Sequence, residues 1–363
     1  MSFSVQGIKD IAKTFSPSQI ISGSALGIDI GTSSIKIVQL RKEKDIAVLE
    51  SYGEIELSRY EGGALSPEKI SSALMDLMSE IKTSSKSAGV SILSSSTLIF
   101  VVEMPTRDEE QLKLLMPAEA KKYIPAHSGE VMLDWFKMPD VESQQNVFDA
   151  MNEGSSVAPK RQKILLAAIY KETIGTYGKI LKGAGVSPRF YEIEASSGAR
   201  ASLGATTDTV LIIDLGATAT KIYIVERNIV RVLHTVKVGG NNLTKALAEK
   251  KQLDIKGAEN LKRAQGLDPS LEPELEQIVA EANFVIGSYR EQQKKEVTQV
   301  ILIGGGARMM GIEDYLKTKL QLPAEVARPF NRTKGPIVLE GSLHDAGPIF
   351  ANAIGLALRA VGM

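Results

Sequence analysis

Residues 26 to 38 read Leu26-Gly27-Ile28-Asp29-Ile30-Gly31-Thr32-Ser33-Ser34-Ile35-Lys36-Ile37-Val38, and residues 211 to 223 read Leu211-Ile212-Ile213-Asp214-Leu215-Gly216-Ala217-Thr218-Ala219-Thr220-Lys221-Ile222-Tyr223. Asp29, Gly31, Ser33 and Lys36 stand at the same mutual offsets as Asp214, Gly216, Thr218 and Lys221. Each stretch predicts a buried strand, a tight turn of small residues and a second strand. A turn without bulky side chains presents backbone N–H groups at close range, which is what a polyphosphate needs. One such hairpin is an ordinary structural element; two in the same register predict a duplicated α/β core. Its lobes would face each other across a cleft and supply donors to a triphosphate from both sides.

Around these hairpins the chain alternates strands and helices. Ser66 and Pro67 predict a capped helix start, with Ile70, Leu74, Leu77 and Ile81 at helical spacing. Leu98 to Val102 predicts a buried strand, residues 108 to 124 a helix with Pro117 inside it, and residues 140 to 160 a polar loop. Ile164 to Tyr170 predicts a strand, Lys171 to Lys182 a helix, and Arg189 to Ile193 a short strand before Glu194. After the second hairpin, Gly239-Gly240-Asn241-Asn242 leads into a charged helical region reaching Lys295, broken near Gly257 and between Gly266 and Pro273. The apolar strand Val297 to Ile303 then runs into Gly304-Gly305-Gly306, and a helix from Pro348 to Val361 closes the chain. Residues 1 to 24 read as an amphipathic helix, which either packs on its own domain or docks on a partner or a membrane surface.

Composition narrows the function. Forty-three basic residues balance forty-three acidic ones, so no global field favours nucleic acid or an anionic membrane. With no cysteine and three histidines, neither a disulfide framework nor a zinc site is expected, and a reducing cytoplasm fits. No segment approaches the roughly 20 apolar residues of a membrane span. There is no Walker GxxxxGK[ST] pattern, and the three glycines at 304 do not form a GxGxxG dinucleotide motif.

Several residues carry the candidate chemistry. Gly31, Thr32, Ser33 and Ser34 suit a phosphate loop, Asp29 would hold Mg²⁺ through water, and Lys36 would reach back to a phosphate. Gly304, Gly305 and Gly306 either let a flat adenine lie against backbone or satisfy a loop with positive φ. Glu259 and Lys262, three apart on one helix face, either contact a nucleoside or pair with each other.

Together the two hairpins, the glycine-ended strand and the closing helix resemble the actin-like ATPase superfamily, which includes FtsA, MreB, DnaK-type chaperones and sugar kinases. Within it, GIDIGTSSIKIVQL from residue 27, LMPAEAKKYIP ending at 125, GGNNLTKALAEK at 239 to 250 and AENLKRAQG at 258 to 266 are similar to the type IV pilus assembly PilM family. The resemblance implies an actin-like α/β fold: lobe I over 25–206 with an FtsA-like insertion near 104–160, lobe II over 207–346 with a helical part near 243–296, and a closing helix over 347–363 returning to lobe I. It implies ATP (or ADP) with Mg²⁺ between the lobes. Asp29 and Asp214 would organise the ion, Gly216, Ala217 and Thr218 with Lys221 would form the second phosphate loop, and Gly240 and Asn241 would approach the nucleotide. Glu259 and Lys262 would contact the nucleoside, and Gly304 to Gly306 with Arg308 and Met309 would line the adenine. Glu194 matches the residue that orients the attacking water in active relatives. Ala217 lacks the hydroxyl found at Thr32, and Ala195-Ser196-Ser197-Gly198 is smaller than the usual helix there, so slow hydrolysis is expected. The resemblance further implies a partner, the cytoplasmic N-terminal tail of PilN bound as an extended peptide near the insertion, along with other pilus assembly proteins and a possible homo-oligomer. That would place the chain at the cytoplasmic face of the inner membrane through its partner. The alternatives are an FtsA-like filament protein, or a small-molecule kinase for which no substrate-hydroxyl constellation stands out.

Overall fold

The computed structural model describes residues 23–60, 66–124, 130–138, 161–204 and 206–363. The helix expected in residues 1 to 24 falls almost entirely outside them, and the polar loop expected at 140 to 160 lies wholly outside. The chain divides into two compact units, one containing Ser96–Thr176 and the other containing Ser18–Ser95 with Tyr177–Met363.

The larger unit begins with β1 (Ser24–Ile30), β2 (Ser34–Glu43) and β3 (Ile46–Glu56), then α1 (Pro67–Glu80) and β4 (Ser87–Ile92). Ser66 caps α1 by accepting from the Lys69 N–H, with Pro67 at the first helical position, where its missing N–H costs nothing. The smaller unit is β5 (Thr97–Pro105), α2 (Glu109–Ala120), β6 (Val131–Lys137) and β7 (Arg161–Tyr170). Its sheet runs β5-β7-β6, and Leu112, Met116 and Ala120 of α2 share a core with Val102, Met104, Ile164 and Leu166. Pro117 lies within α2, which continues to Ala120.

The larger unit resumes through α3 (Lys171–Gly183), β8 (Ser187–Ile193) and α4 (Glu194–Ser202). The second sheet follows from β9 (Thr209–Leu215), β10 (Thr220–Glu226) and β11 (Ile229–Val236). Next come α5 (Gly240–Lys251), α6 (Ile255–Gln265), α7 (Glu272–Gln293), β12 (Gln299–Ile303), α8 (Ile312–Leu320), β13 (Ala324–Val326), α9 (Glu340–Ala346) and α10 (Ala351–Ala360). The two five-stranded sheets have the same order, β3-β2-β1-β4-β8 and β11-β10-β9-β12-β13. In each, an antiparallel hairpin is extended by parallel strands beside its first strand. The internal repeat in sequence is therefore a repeat in topology.

Small residues let α10 close the first sheet. A Cβ on Gly27 would meet the Ala353 carbonyl at 1.9 Å, and a Cβ on Gly355 would meet the Ser197 carbonyl at 1.9 Å. No side chain fits at either point, so α10 touches β1 and α4 backbone to backbone. This explains why the stretch after Glu194 is built from Ala, Ser and Gly. Ile354, Leu356 and Leu358 bury their side chains fully, each contributing roughly 1.5–3 kcal/mol of transfer free energy. Glu192 of β8 then ties two helices to the strand: Arg200 of α4 donates to both its oxygens at 2.7 Å, and Arg359 of α10 donates to Oε1 at 2.7 Å. Among the described residues no helix is long and apolar enough to cross a membrane.

Candidate functional site

The two hairpins have the same local geometry. Asp29 pairs with Lys36 across β1 and β2, and Asp214 pairs with Lys221 across β9 and β10. Gly31 N–H donates to Ser34 O at 3.0 Å, and Gly216 N–H donates to Ala219 O at 3.1 Å, closing equivalent turns. A Cβ on Gly216 would stand 2.8 Å from Ala219 O, and each lysine ammonium lies within 3.8 Å of the Cβ its turn glycine would carry. Each turn is thus a small-residue loop with a cation over it. The tips meet: Thr32 Oγ1 and Thr218 Oγ1 are 3.1 Å apart. By offset Thr218 corresponds to Ser33, so the junction joins unlike positions of the repeat.

Behind the tips lie three carboxylates, Asp29 and Asp214 each 5% exposed and Glu194 3% exposed. Ser91 of β4 donates to Asp29 Oδ1 at 2.6 Å and accepts from Ile30 N–H at 3.2 Å. Glu194, the first residue of α4, accepts from Ser94 N–H at 2.8 Å through Oε1 and from Lys221 Nζ at 3.1 Å through Oε2. Lys221 Nζ is also 3.8 Å from Asp214 Oδ2. Burial raises the pKa of Glu194; Lys221 opposes this, Asp214 and Asp29 add to it, and the net direction is upward. Burial alone would lower that of Lys221, but Asp214 and Glu194 outweigh it and keep the ammonium charged. Lys36 faces Glu54 at 3.6 Å.

The carboxylate oxygens of Asp29 and Asp214 have the hard chemistry Mg²⁺ prefers. Two of the three carboxylates face Lys221, Asp29 is held by Ser91, and no three acidic or histidine side chains converge as ligands among the described residues. Mg²⁺ keeps several waters and takes one or two carboxylates alongside substrate phosphates, an arrangement in which Asp29 and Asp214 would hold it through water.

The helical part of the second lobe backs its turn. Gly240 N–H donates to Gly216 O at 2.9 Å and Asn241 N–H to Ala217 O at 2.8 Å, so the start of α5 is stitched to the loop. Gly239 is the tightest point, since a Cβ there would lie 2.6 Å from Ala219 N and 2.7 Å from Ala217 O. Lys262 of α6 reaches Gly240 O at 2.9 Å, Thr244 Oγ1 at 2.6 Å and Glu259 Oε2 at 2.7 Å. Glu259 and Lys262 therefore pair with each other against the base of the loop. Burial pushes the Glu259 carboxyl up, but hydrogen bonds from Lys262, Thr244 and Arg263 outweigh it and bring the pKa down to about 2. A depressed carboxylate stabilises the fold above its ordinary value of 4.5 and loses that contribution as pH falls toward 2. Glu259→Gln is expected to flatten the decline of melting temperature across that window, measured by calorimetry at a series of pH values. An unchanged slope would refute the assignment.

On the other side, Gly304 adopts φ +84° at the end of β12, and a Cβ there would lie 2.4 Å from Asp214 Oδ1. Gly306 packs on Leu215, whereas a Cβ on Gly305 would meet nothing within 4 Å. Arg308 is exposed at the end of the same turn, and Met309 is half-buried against the core of the second lobe. The candidate residues of the second lobe thus surround one loop and one aspartate, and the first hairpin meets them through Thr32.

A family model described as type IV pilus assembly protein PilM matches residues 27–361. The chain belongs to that family. Among solved structures it is similar to a PilM-PilN type IV pilus biogenesis complex, at 23% identity and TM-score 0.79, covering 93% of this chain and 98% of that one. It also matches ethanolamine utilization protein EutJ from Carboxydothermus hydrogenoformans, at 13% identity and TM-score 0.52 over 97% of both chains. MreB5 of Spiroplasma citri bound to ADP matches at 12% identity and TM-score 0.51, over 92% and 95%. These likenesses give the fold as the actin-like ATPase fold.

For this member of the PilM family, sequence reasoning missed Ser91, Ser94, Thr244, Glu54 and Gly239 as parts of the site. Gly239 was visible as the first glycine of GGNN, where a double glycine before a helix marks close backbone approach. Ser91, Ser94 and Thr244 carried no pattern, because a short hydroxyl acquires its role only from the neighbouring strand or helix. Glu54 stands on β3 opposite Lys36, a cross-strand position that the hairpin spacing alone does not reveal.

Proposed function

We propose that this PilM-family chain is a nucleotide-binding component of the type IV pilus assembly machine that holds ATP or ADP between its two hairpin turns. The observation that carries the nucleotide reading is the junction of the two equivalent turns at Thr32 and Thr218, each with a lysine ammonium over it. A polyphosphate entering there would exchange the hydroxyl contact for donors from both lobes. Glycines 304 to 306 would flank its base, and Gly240 with Lys262 would close the second loop from behind. Glu194 is the candidate for orienting a water. With its oxygens engaged by Ser94 and Lys221, it performs that role only after Lys221 lets go, which favours slow turnover and a switch or structural use of the nucleotide. Mg²⁺, expected from the resemblance, would be held through water by Asp29 and Asp214 beside the phosphates.

The partner in this reading is the cytoplasmic N-terminal segment of a PilN-type membrane protein, which would bring the chain to the inner face of the membrane. Support comes from the family and from the likeness to the PilM-PilN complex. Strands β5 and β6 are the edges of the smaller unit's sheet, and an extended peptide adds naturally to such an edge.

Thermal-shift titration of the purified chain with ATP tests the nucleotide reading, and a stabilisation that saturates is expected. Lys36→Ala should weaken ATP affinity by about tenfold or more, the loss of one charge-assisted contact, and Asp29→Ala should do the same in MgCl₂ by removing a carboxylate that would hold the ion through water. Unchanged affinity in both would remove the first hairpin from the site. Pull-down with a synthetic N-terminal PilN peptide tests the partner.

A further inference from the structure

Ile337 and Val338 are 87% and 89% exposed, the most exposed large apolar side chains among the described residues, and Leu339 beside them is 36% exposed. A solvated turn gains nothing from aliphatic groups, so a contiguous exposed run of them marks a contact surface. The run is held out from the fold at both ends. Before it, Lys334 lies in a parallel bridge with Val48 of the edge strand β3, its N–H donating to Ala47 O at 2.7 Å and its carbonyl accepting from Leu49 N–H at 2.9 Å. After it, Leu343 of α9 is buried in one core with Phe330 and Phe350. Between these anchors Leu339 N–H donates to Pro336 O at 3.0 Å, which closes the turn and leaves Ile337 and Val338 at its tip.

The chain leading to this tip is basic. Residues 326 to 339 include Arg328, Arg332 and Lys334 and no acidic residue. All three cations are exposed, and none forms an ion pair among the described residues. Glu340 follows on the other flank, at the start of α9. The size of the apolar surface narrows its partner. A stable protein interface buries about 800 Å² on each side, whereas here the aliphatic run ends after Leu339 and is flanked in the chain by exposed Lys334, Glu340, Gly341 and Ser342. A lipid bilayer asks for less, because a short apolar projection enters the boundary between headgroups and acyl chains while neighbouring cations are drawn to anionic headgroups. We infer that residues 336 to 339 are a membrane-contacting tip, through which the chain touches an anionic phospholipid surface directly: Ile337 and Val338 enter the headgroup boundary, and the cations at 328, 332 and 334 supply the attraction. The inference rests on the membrane-side placement proposed above and adds a contact that needs no PilN-type partner.

Flotation of the full chain with vesicles of mixed phosphatidylglycerol and phosphatidylcholine, beside vesicles of phosphatidylcholine alone, tests this. The expected result is recovery with the anionic vesicles that falls as salt is raised. Ile337→Ser combined with Val338→Ser should weaken that binding by about tenfold or more, with the melting temperature unmoved because both side chains are exposed. Failure of the unmodified chain to float with anionic vesicles overturns the inference and leaves the PilN reading to its own pull-down. Equal recovery of the double variant also overturns it, and assigns the lipid contact to another part of the chain, such as residues 1 to 24. Equal recovery with phosphatidylcholine alone overturns the role given to the cations. The chain has no cysteine, so Val338→Cys carrying a polarity-sensitive fluorophore reports from the tip alone. A blue shift of its emission on the anionic vesicles is expected, and unchanged emission overturns the insertion.

Discussion

Replacing Glu192 with alanine is expected to lower the unfolding free energy by about 3–5 kcal/mol, the loss seen when one member of a buried ion group is removed and its partners stay behind. Glu192 is buried on β8 and receives three guanidinium N–H bonds, two from Arg200 and one from Arg359. Burial would raise its pKa, but the two arginines overcome this and hold it below the usual carboxylate range. Arg359 is further fixed with its guanidinium 4.2 Å from the centre of the Phe190 ring. Without the carboxylate, Arg200 and Arg359 would lose the acceptor they share at the junction of α4, α10 and β8. Urea denaturation of the two proteins measures the difference. A loss below about 1 kcal/mol, the worth of an exposed pair, would refute the lock. Acid should act in the same direction: because the folded pKa is depressed, this contribution is present above pH 4.5 and is lost as the carboxyl protonates below it. The consequence reaches the candidate site, since α10 covers β1 and β1 carries Asp29.

How much of this is readable from the sequence follows from the range of each interaction. The hairpins are legible because Asp, Gly and Lys at fixed offsets are local: an antiparallel pair with a tight turn brings Asp29 opposite Lys36 and Asp214 opposite Lys221 whatever the rest of the chain does. The doubled sheet order follows from the doubled motif. Lys221 reads as a phosphate ligand, but its pairing with Glu194 does not show, because those residues meet only when α4 crosses behind the second hairpin. Ser91 is hidden for the same reason; it reaches Asp29 across the parallel pair β1–β4, 62 residues away in the chain. Glu259 and Lys262 illustrate an intermediate case, since helical spacing places them on one face and leaves open whether they bind a ligand or each other. The fold pairs them and adds Thr244 and Gly240, a grouping that supports the loop from behind.

Gly304 and Gly305 separate two demands that the glycine run at the end of β12 leaves entangled in the sequence. Gly304→Ala is expected to cost stability and abolish the ATP-dependent thermal shift together. Its φ of +84° lies where an L side chain is strained, a cost of about 1–3 kcal/mol. Its new methyl would stand 2.4 Å from Asp214 Oδ1 and 2.7 Å from the Leu215 carbonyl, forcing the aspartate to shift. Gly305→Ala differs in kind: its φ is not positive and its Cβ meets no atom within 4 Å, so the fold should tolerate it within about 1 kcal/mol, the ordinary Gly-to-Ala range. If a purine lies against that backbone, the added methyl occupies its space and weakens ATP binding by about tenfold or more while the melting temperature of the free protein stays put. Equal ATP affinity in Gly305→Ala and the unmodified chain would move the base away from the glycine run and leave Gly304 with a purely conformational role. Stable folding of Gly304→Ala with full ATP affinity would mean that Asp214 can yield without consequence, and the second hairpin would lose its place in the site.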